Sequence, residues 1–516
     1  MTDRARYLDV AVIASLGVGL RLAFWAYTGR IWEDALITIA HARNAIAGLG
    51  LTHHQGEPPT HGFTSALSVL IPLVGEAISR DGGLVMLRLA SLVALVVAIV
   101  AADALGRRLS LDRWPRLLVM GYLAVDANHI LYGMSGMETE VAVAALLVSA
   151  WAFTAGSRWA GVTLGVALLA RPDFILWAGI IVIHLVIRDR RRLGWMLVGS
   201  AAIVGPWVWF TTAYYGSPVP QTIVAKAIAF TSVPSGSSLE AWAEWVPAQI
   251  GSHVPAVLRT FAPFFEDTMA VRAPVHPPLL LLVSTLVAVI AIVGVVDRLR
   301  QDAWTPIIAF VGTYLVYRIL FLPPVYSDWY LPPFTAMAAF LVAAGVQRLA
   351  SGRPATSVAM AVLFVLTFAF PLPWVFQLER AIQTDIEAGV RVPTADALAA
   401  MVAPGEGVVS ESAGYVGHDA RVLLLDYPGL TSRTALEAVR SLPRDRRTLQ
   451  GLIDRIRPPW LVLRPDELGV LRSIYPDTAE RYDEVRTFGT GVLEVERGGY
   501  GKFTADGGFI ILRRAR

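Results

Sequence analysis

Cysteine is missing from all 516 residues, which excludes disulfides, a thiolate nucleophile, thiolate zinc sites and iron–sulfur clusters. Lysine is nearly missing too. Of 44 basic residues only Lys226 and Lys502 are lysine, a bias that reads as GC-rich coding rather than chemistry. Charge as a whole is sparse, at 16% of residues against about a quarter in soluble domains. A net charge of +3, with no basic patch interleaved with aromatics, gives no ground for a nucleic-acid partner. There is no Walker loop, no GxGxxG after a strand, no zinc-protease helix and no GxSxG, so nothing points to nucleotide hydrolysis or acyl-serine chemistry.

What is present is apolar residue, 55% of the chain, and it is unevenly spread. Residues 1–374 hold 46 of the charged residues and residues 375–516 hold 39, roughly 12% against 27%. A lipid-embedded body over 1–374 with a water-soluble tail domain over 375–516 accounts for the step. It excludes a cytosolic globular enzyme, a fibre and a disordered chain.

A bilayer-crossing helix needs about 17–25 apolar residues. Such runs lie near 8–28, 84–105, 116–132, 139–155, 158–172, 173–188, 194–213, 278–297, 304–322, 332–348 and 355–374. The first lacks a small-residue cleavage site and reads as a span rather than a signal peptide. The run 65–79, with its Pro72 and Glu76, suits an interfacial or re-entrant helix. Arginines in the short loops then place the N-terminus inside and the C-terminus outside, with eleven spans. Loops 29–83, 133–138, 214–277 and 323–331 fall on the outer face with the tail. Helical stretches are expected near 219–230 and 238–262. In the tail, strands are expected in GVVSESAGYVG, RVLLLDYPGL, WLVLRP, VLEVERGG and FIILRR, with helices near 376–402 and 433–456, giving a small α/β domain.

Some polar residues interrupt this pattern. Glu33 and Asp34 follow the first span; paired carboxylates there can act as a general base or hold a divalent cation, or simply favour a helix N-terminus. Glu138 stands at a second outer junction and is open to the same two readings. Arg171 and Asp173 break an apolar stretch, where charge is expensive and pairs either with itself or with a ligand. Lys226 suits a phosphate or snorkels to solvent. His53, His54 and His61 match no standard metal spacing. Arg318 and Asp328 sit at an aromatic-rich outer edge.

The segment WEDALITIAHARNAIAGLGL with HQGEPPTHGFTSALSVL resembles the first outer loop of bacterial C-type (GT-C) glycosyltransferases. SGMETE, LLARPDF, YYGSPVPQTIVAK and the DWYLPP segment follow in the same order. The tail segment SESAGYVGHDARVLLLDYPGL resembles a motif of the actinobacterial arabinofuranosyltransferases and their relatives. The likeness covers about residues 29–435. It departs at Glu33-Asp34, where Asp-Asp is common, at His61, where relatives carry an acid, and at Ser410-Glu411-Ser412, where an Asp is usual.

The resemblance implies an integral membrane glycosyltransferase of the bacterial plasma membrane, its active site and tail on the extracytoplasmic face. Its donor would be a polyprenyl-phosphate sugar and its acceptor an envelope glycan, glycolipid or glycoprotein. Arabinofuranosyl or mannosyl transfer is the specific expectation, inverting, with Asp34 as general base and Glu33 as the alternate. Lys226, Arg171 and Arg318 would bind the donor phosphate. Glu138 would orient the acceptor or join Asp34 at a metal; His61, Tyr415, His418 and Asp426 would serve as acceptor or auxiliary groups. Some relatives use a divalent cation and others do not, and the sequence leaves that open. A flippase for lipid-linked glycans and a non-catalytic scaffold of an envelope-synthesis complex are the competing readings.

Overall fold

The computed structural model describes residues 3–230, 233–234, 238–259, 277–321, 328–491 and 500–515. The first half is helical: α1 (Asp3–Thr28), α2 (Glu33–Ile46), α3 (Ala66–Ile78), α4 (Gly83–Arg108), α5 (Arg113–Val125), α6 (Ala127–Met134), α7 (Thr139–Thr154), α8 (Ala160–Ala170), α9 (Ile175–Arg188) and α10 (Arg190–Tyr215). There follow α11 (Gln221–Phe230), α12 (Leu239–Arg259), α13 (Pro277–Arg298), α14 (Thr305–Phe321), α15 (Leu331–Leu349) and α16 (Pro354–Ala369). A helix stands at each position where an apolar run was expected to cross, with α5 and α6 together forming the third. Among the described residues six helices are long and apolar enough to cross a membrane, or seven if the bent pair α5–α6 is one span. The chain is a membrane protein. We propose eleven spans, with the N-terminus inside.

Local chemistry explains the breaks. Asp126 ends α5 and caps α6, its carboxylate accepting from the His129 amide at 3.1 Å, and the axis bends there by 44°. Ser65 caps α3 by accepting from the Ser68 amide. A charge deep in such a bundle costs about 3 kcal/mol or more unless it is paired. Arg21 of α1 is fully buried; it pairs with Glu140 of α7 and donates to the Leu123 and Ala124 carbonyls of α5 at 3.1 Å each. Sequence reasoning passed over this arginine, which joins three helices. Helices α13 and α15 touch backbone to backbone through Gly294 and Gly345, the small-residue packing favoured where lipid supplies no hydrophobic drive.

The tail is continuous with the bundle. A boundary at 374 falls inside α17 (Leu372–Ala381), whose Leu372 and Val375 belong to the core of the membrane body. A π-helical stretch, Ile382–Arg391, and α18 (Val392–Met401) lead to a five-stranded sheet. Its strands are β1 (Gly407–Ser410), β2 (Leu423–Asp426), β3 (Trp460–Leu463), β4 (Tyr482–Gly489) and β5 (Gly508–Arg514), in the order β2-β1-β3-β5-β4. β1 runs parallel to β2 and to β3; β5 is antiparallel to β3 and β4. One face, with Val408, Leu424, Val462 and Ile511, packs on Leu398, Val416 and Ile37 of α2. The other, with Val409, Leu425, Leu461 and Leu512, packs on α20 (Arg433–Ser441), α21 (Leu449–Ile456) and α22 (Pro465–Ile474); α19 (Tyr415–Ala420) lies between β1 and β2. So the expected strand GVVSESAGYVG stops at Ser410 and turns helical from Tyr415, because Gly414 opens a new helix. β4 was not foreseen, and VLEVERGG lies outside the described residues.

A Cβ at position 345 would lie 1.9 Å from the Ile290 carbonyl oxygen. Gly345→Val must therefore push α13 and α15 apart, with overpacking that costs about 1–3 kcal/mol. Thermal unfolding in detergent should show a lower midpoint; an unchanged midpoint would contradict this packing.

Candidate active site

Two cavities meet at the start of α2. The first, about 310 Å³, is lined by Asp34, Glu138, Arg171, Asp173 and Lys226, with Trp329 and Tyr330 on one wall and Ile175, Leu176 and Ile223 on another. Five residues singled out in the sequence, from four separate parts of the chain, thus converge on one space. Arg171 sits between α8 and α9, where Pro172 breaks the helix. It is held by Asp173 at 3.0 and 3.3 Å, by the Trp329 carbonyl at 3.3 Å and by the Tyr330 ring face at 4.3 Å. Tyr314 braces this arrangement: its hydroxyl lies 2.7 Å from the Tyr330 carbonyl and 3.2 Å from the Asp173 carboxylate, its one hydrogen shared between the two acceptors. Arg171 is structurally paired with Asp173 and also lines the cavity.

Lys226 projects from α11 with its ammonium 5.9 Å from the Trp329 ring centre. Burial works against that ammonium, but Tyr330 and Asp34 facing it outweigh burial and hold its pKa above the ordinary lysine value. Burial likewise raises Asp34 above the usual carboxylate range; Glu33 adds to the rise, while Lys226 and Arg391 oppose it. Glu138 is raised for the same reason, with Asp173 and Asp34 adding and Arg171 opposing. Glu138, the residue before α7, makes no side-chain capping bond, and Asp34 sits in the first turn of α2, where its charge also suits the helix N-terminus.

Glu33 points the other way. It accepts from the Ser412 hydroxyl and from the Gly414 amide at 3.2 Å, and it pairs with Arg391 at 2.8 Å. These partners belong to the tail, and Arg391 together with Glu33 itself lines a second cavity of about 530 Å³. Glu411, Tyr427 and Arg464 enter it directly after β1, β2 and β3, the carboxyl ends of parallel strands where α/β sheets bind ligands. Trp32, Trp329 and Phe503 supply its aromatic surface. Burial lifts Glu411 to about 7, with Glu33 and Asp506 adding and Arg464, at 2.8 Å, opposing. Asp34 and Trp329 line both cavities. Sequence reasoning missed Arg391, Arg464, Asp506 and Trp329; only Glu411 carried a signal, as a departure from the family motif.

The remaining candidates lie elsewhere. Arg318 is buried on α14 and lines neither cavity, although its neighbour Tyr317 lines the first. Tyr415 is buried and donates to the Ile31 carbonyl at 3.4 Å. His418 bonds Arg43 of α2 at 3.1 Å and also bonds Asp419. The buried Asp426 carboxylate takes the amides of Leu430, Thr431 and Ser432 and shapes the turn after β2. His61 stacks on Tyr215, ring centres 4.8 Å apart, with Phe63 at 4.7 Å. None of Tyr415, His418, Asp426 and His61 lines either cavity. Among the described residues no three imidazoles or carboxylates gather in a way that would hold a metal ion.

No family model matches the chain. It is 27% identical over 255 residues to the terminal β-(1→2)-arabinofuranosyltransferase of Corynebacterium glutamicum, covering 43% of this chain and 36% of that protein. The match to the Mycobacterium tuberculosis protein of the same name is also 27%, over 267 residues, covering 46% and 42%. The aligned stretches thus span less than half of either relative. ArnT from Cupriavidus metallidurans, solved with undecaprenyl phosphate, superposes with a TM-score of 0.53 at 12% identity, over 98% of this chain and 97% of ArnT. AglB, the oligosaccharyltransferase of Archaeoglobus fulgidus, solved with an inhibitory peptide and a dolichol-phosphate, gives 0.54 at 12%, over 94% and 73%. The fold is that of the C-type glycosyltransferases. The resemblance read from the loop motifs is borne out by the relatives' names and by this fold. Within the C-type frame, the two cavities lie where the helical bundle meets the tail sheet.

Burial holds His61 down at about 3. The unfolded imidazole takes its proton near 6.5 and the folded one only near 3, so this stabilisation is full above about 6.5 and is lost as pH falls toward 3. His61→Phe keeps a ring on Tyr215 and removes the titration. Its unfolding midpoint should fall less than wild type's between pH 7 and pH 5; parallel curves would contradict a neutral, buried His61.

Proposed function

We propose that the chain transfers a sugar from a polyprenyl-phosphate donor, held in the first cavity, to a hydroxyl of a glycan acceptor held in the second. The observation that carries this is the position of Asp34, the one titratable side chain lining both cavities among the described residues. Lys226 and Arg171 would hold the donor phosphate. The apolar wall at Ile175, two-thirds exposed, gives the polyprenyl tail a way out toward lipid. The acceptor oxygen attacks the anomeric carbon as the carbon–oxygen bond to phosphate breaks; the acceptor proton passes to Asp34 and polyprenyl phosphate departs. One attack without a covalent sugar intermediate inverts the anomeric centre.

A carboxylate whose pKa is lifted by burial suits a base that works near neutral pH. Cationic stabilisation matters more than protonation for a phosphate leaving group, which fits Lys226 and Arg171. Glu138, expected at the acceptor, lines the first cavity beside Arg171 and is assigned here to the hydroxyls of the donor sugar. The relatives' names favour arabinofuranose, and nothing observed favours mannose. Polyprenyl phosphates bound to ArnT and AglB support the donor class. We assign the reaction to the extracytoplasmic face of a bacterial plasma membrane.

The test is sugar transfer by the full chain in lipid, with polyprenyl-phosphoryl arabinofuranose and an arabinofuranoside acceptor. Asp34→Asn should lower turnover by about 10²–10⁴-fold while polyprenyl phosphate still binds. Lys226→Met should cost about 10²-fold. Full turnover in Asp34→Asn would overturn the assignment.

A further inference from the structure

A buried arginine behind the proposed base has three acidic partners in the folded protein. Arg391 ends the π-helical stretch and is almost wholly buried, yet it lines the second cavity. It reaches Glu33 at 2.8 Å, Glu387 at 2.9 Å and Asp506 at 3.0 Å. Glu33 immediately precedes Asp34 in the first turn of α2. The loop after β1 presses on the same turn: a Cβ at Gly414 would lie 2.2 Å from Glu33 Cγ. Two neighbouring carboxylates are thereby sorted. The tail engages Glu33 from three directions, and the helical geometry then turns Asp34 toward the space between the cavities.

We infer that Arg391 is the positioning residue for Asp34: it clamps Glu33 to the tail and so fixes the helix turn that carries the base. The inference rests on the reading of Asp34 as base. Because Arg391 shares Asp506 with Arg464, and Arg464 holds Glu411, a ligand entering the second cavity touches the same ion pairs that hold the base. Acceptor occupancy and base geometry are linked through these contacts. The charged groups that face or act on Asp34 are Lys226 from α11, Glu138 from the turn before α7, Arg391 from the tail and Glu33 on its own helix.

The experiment compares Arg391→Gln, Arg391→Lys, Glu33→Gln and the double variant Glu33→Gln/Arg391→Gln with wild type, in the full chain in lipid. The readouts are transfer from polyprenyl-phosphoryl arabinofuranose against pH, binding of polyprenyl phosphate alone, and thermal unfolding. Arg391→Gln should lower plateau kcat by about tenfold or more, since small misplacements of a reacting group are costly, with polyprenyl phosphate affinity within about twofold. Losing a positive charge should move the acidic limb of the profile to higher pH. Arg391→Lys should restore the limb but not the full plateau, because it keeps the charge without the fork. Glu33→Gln should lower the plateau too, with its limb moved to lower pH. The double variant should lose less than the product of the single losses. A wild-type plateau in Arg391→Gln, or losses that multiply, would overturn the inference. Should Arg391→Gln fail to fold, Glu33→Gln decides alone: a wild-type plateau there overturns it. Asp34→Asn as a parallel control separates the two failures. If that variant stays active the reaction assignment falls, whereas a dead Asp34→Asn beside wild-type Arg391 and Glu33 variants sinks only the positioning role.

Discussion

Charge buried between the helical bundle and the tail sheet has to be neutralised locally, and this requirement shapes the whole junction. Glu379, Arg30, Glu387, Arg391, Asp506, Arg464 and Glu411 form one continuous series of ion pairs, each link between 2.6 and 3.0 Å. Removing one member of a buried pair costs about 3–5 kcal/mol, because its partner is left charged and unpaired. The bundle and the tail are therefore mutually dependent in this structure. That explains why the chain passes from membrane helix to sheet through continuous helix, with no flexible linker between them.

The same requirement separates the two acids at the start of α2. Glu33 is absorbed by the tail, while Asp34 keeps its carboxylate toward the cavities, with Lys226 as its facing cation. An acid raised by burial but steadied by a cation can hold a proton transiently, as the proposed reaction requires. The first cavity contributes fixed cations, one of them, Arg171, braced by Asp173, Tyr314 and Tyr330 so that it is aimed before any ligand arrives. The second offers aromatic rings beside balanced acids and arginines, a surface suited to a sugar.

Much of this was legible in the sequence, for definite reasons. Apolar runs located the helices because lipid imposes length and composition on a span. Arg171 stood out because it interrupts such a run, where charge is costly, Asp34 and Glu138 because they stand at the junctions between runs, and Lys226 because it is the only lysine before the tail. Arg391 and Arg464 did not, since they lie in an ordinary charged region and gain meaning only when the sheet meets α2. Tyr415, His418 and Asp426 were chosen for a motif whose visible work here is to join α19 to the first loop and to shape a turn. Arg21 escaped notice because a single arginine within a long apolar run does not reveal that Glu140 will meet it. The strand in YDEVRTFG was hidden by its charge: β4 is an edge strand with an exposed face, so alternation with apolar residues was never required.

The central claim is that one carboxylate stands between a donor phosphate and an acceptor. The most direct measurement is an electron cryomicroscopy structure with a non-cleavable polyprenyl-phosphonate arabinofuranose. The account requires the phosphonate between Lys226 and Arg171, the sugar against Glu138, and the anomeric carbon on the side of Asp34 that opens to the second cavity. A phosphonate seated away from both cations, or a sugar whose anomeric carbon is screened from Asp34, would contradict it.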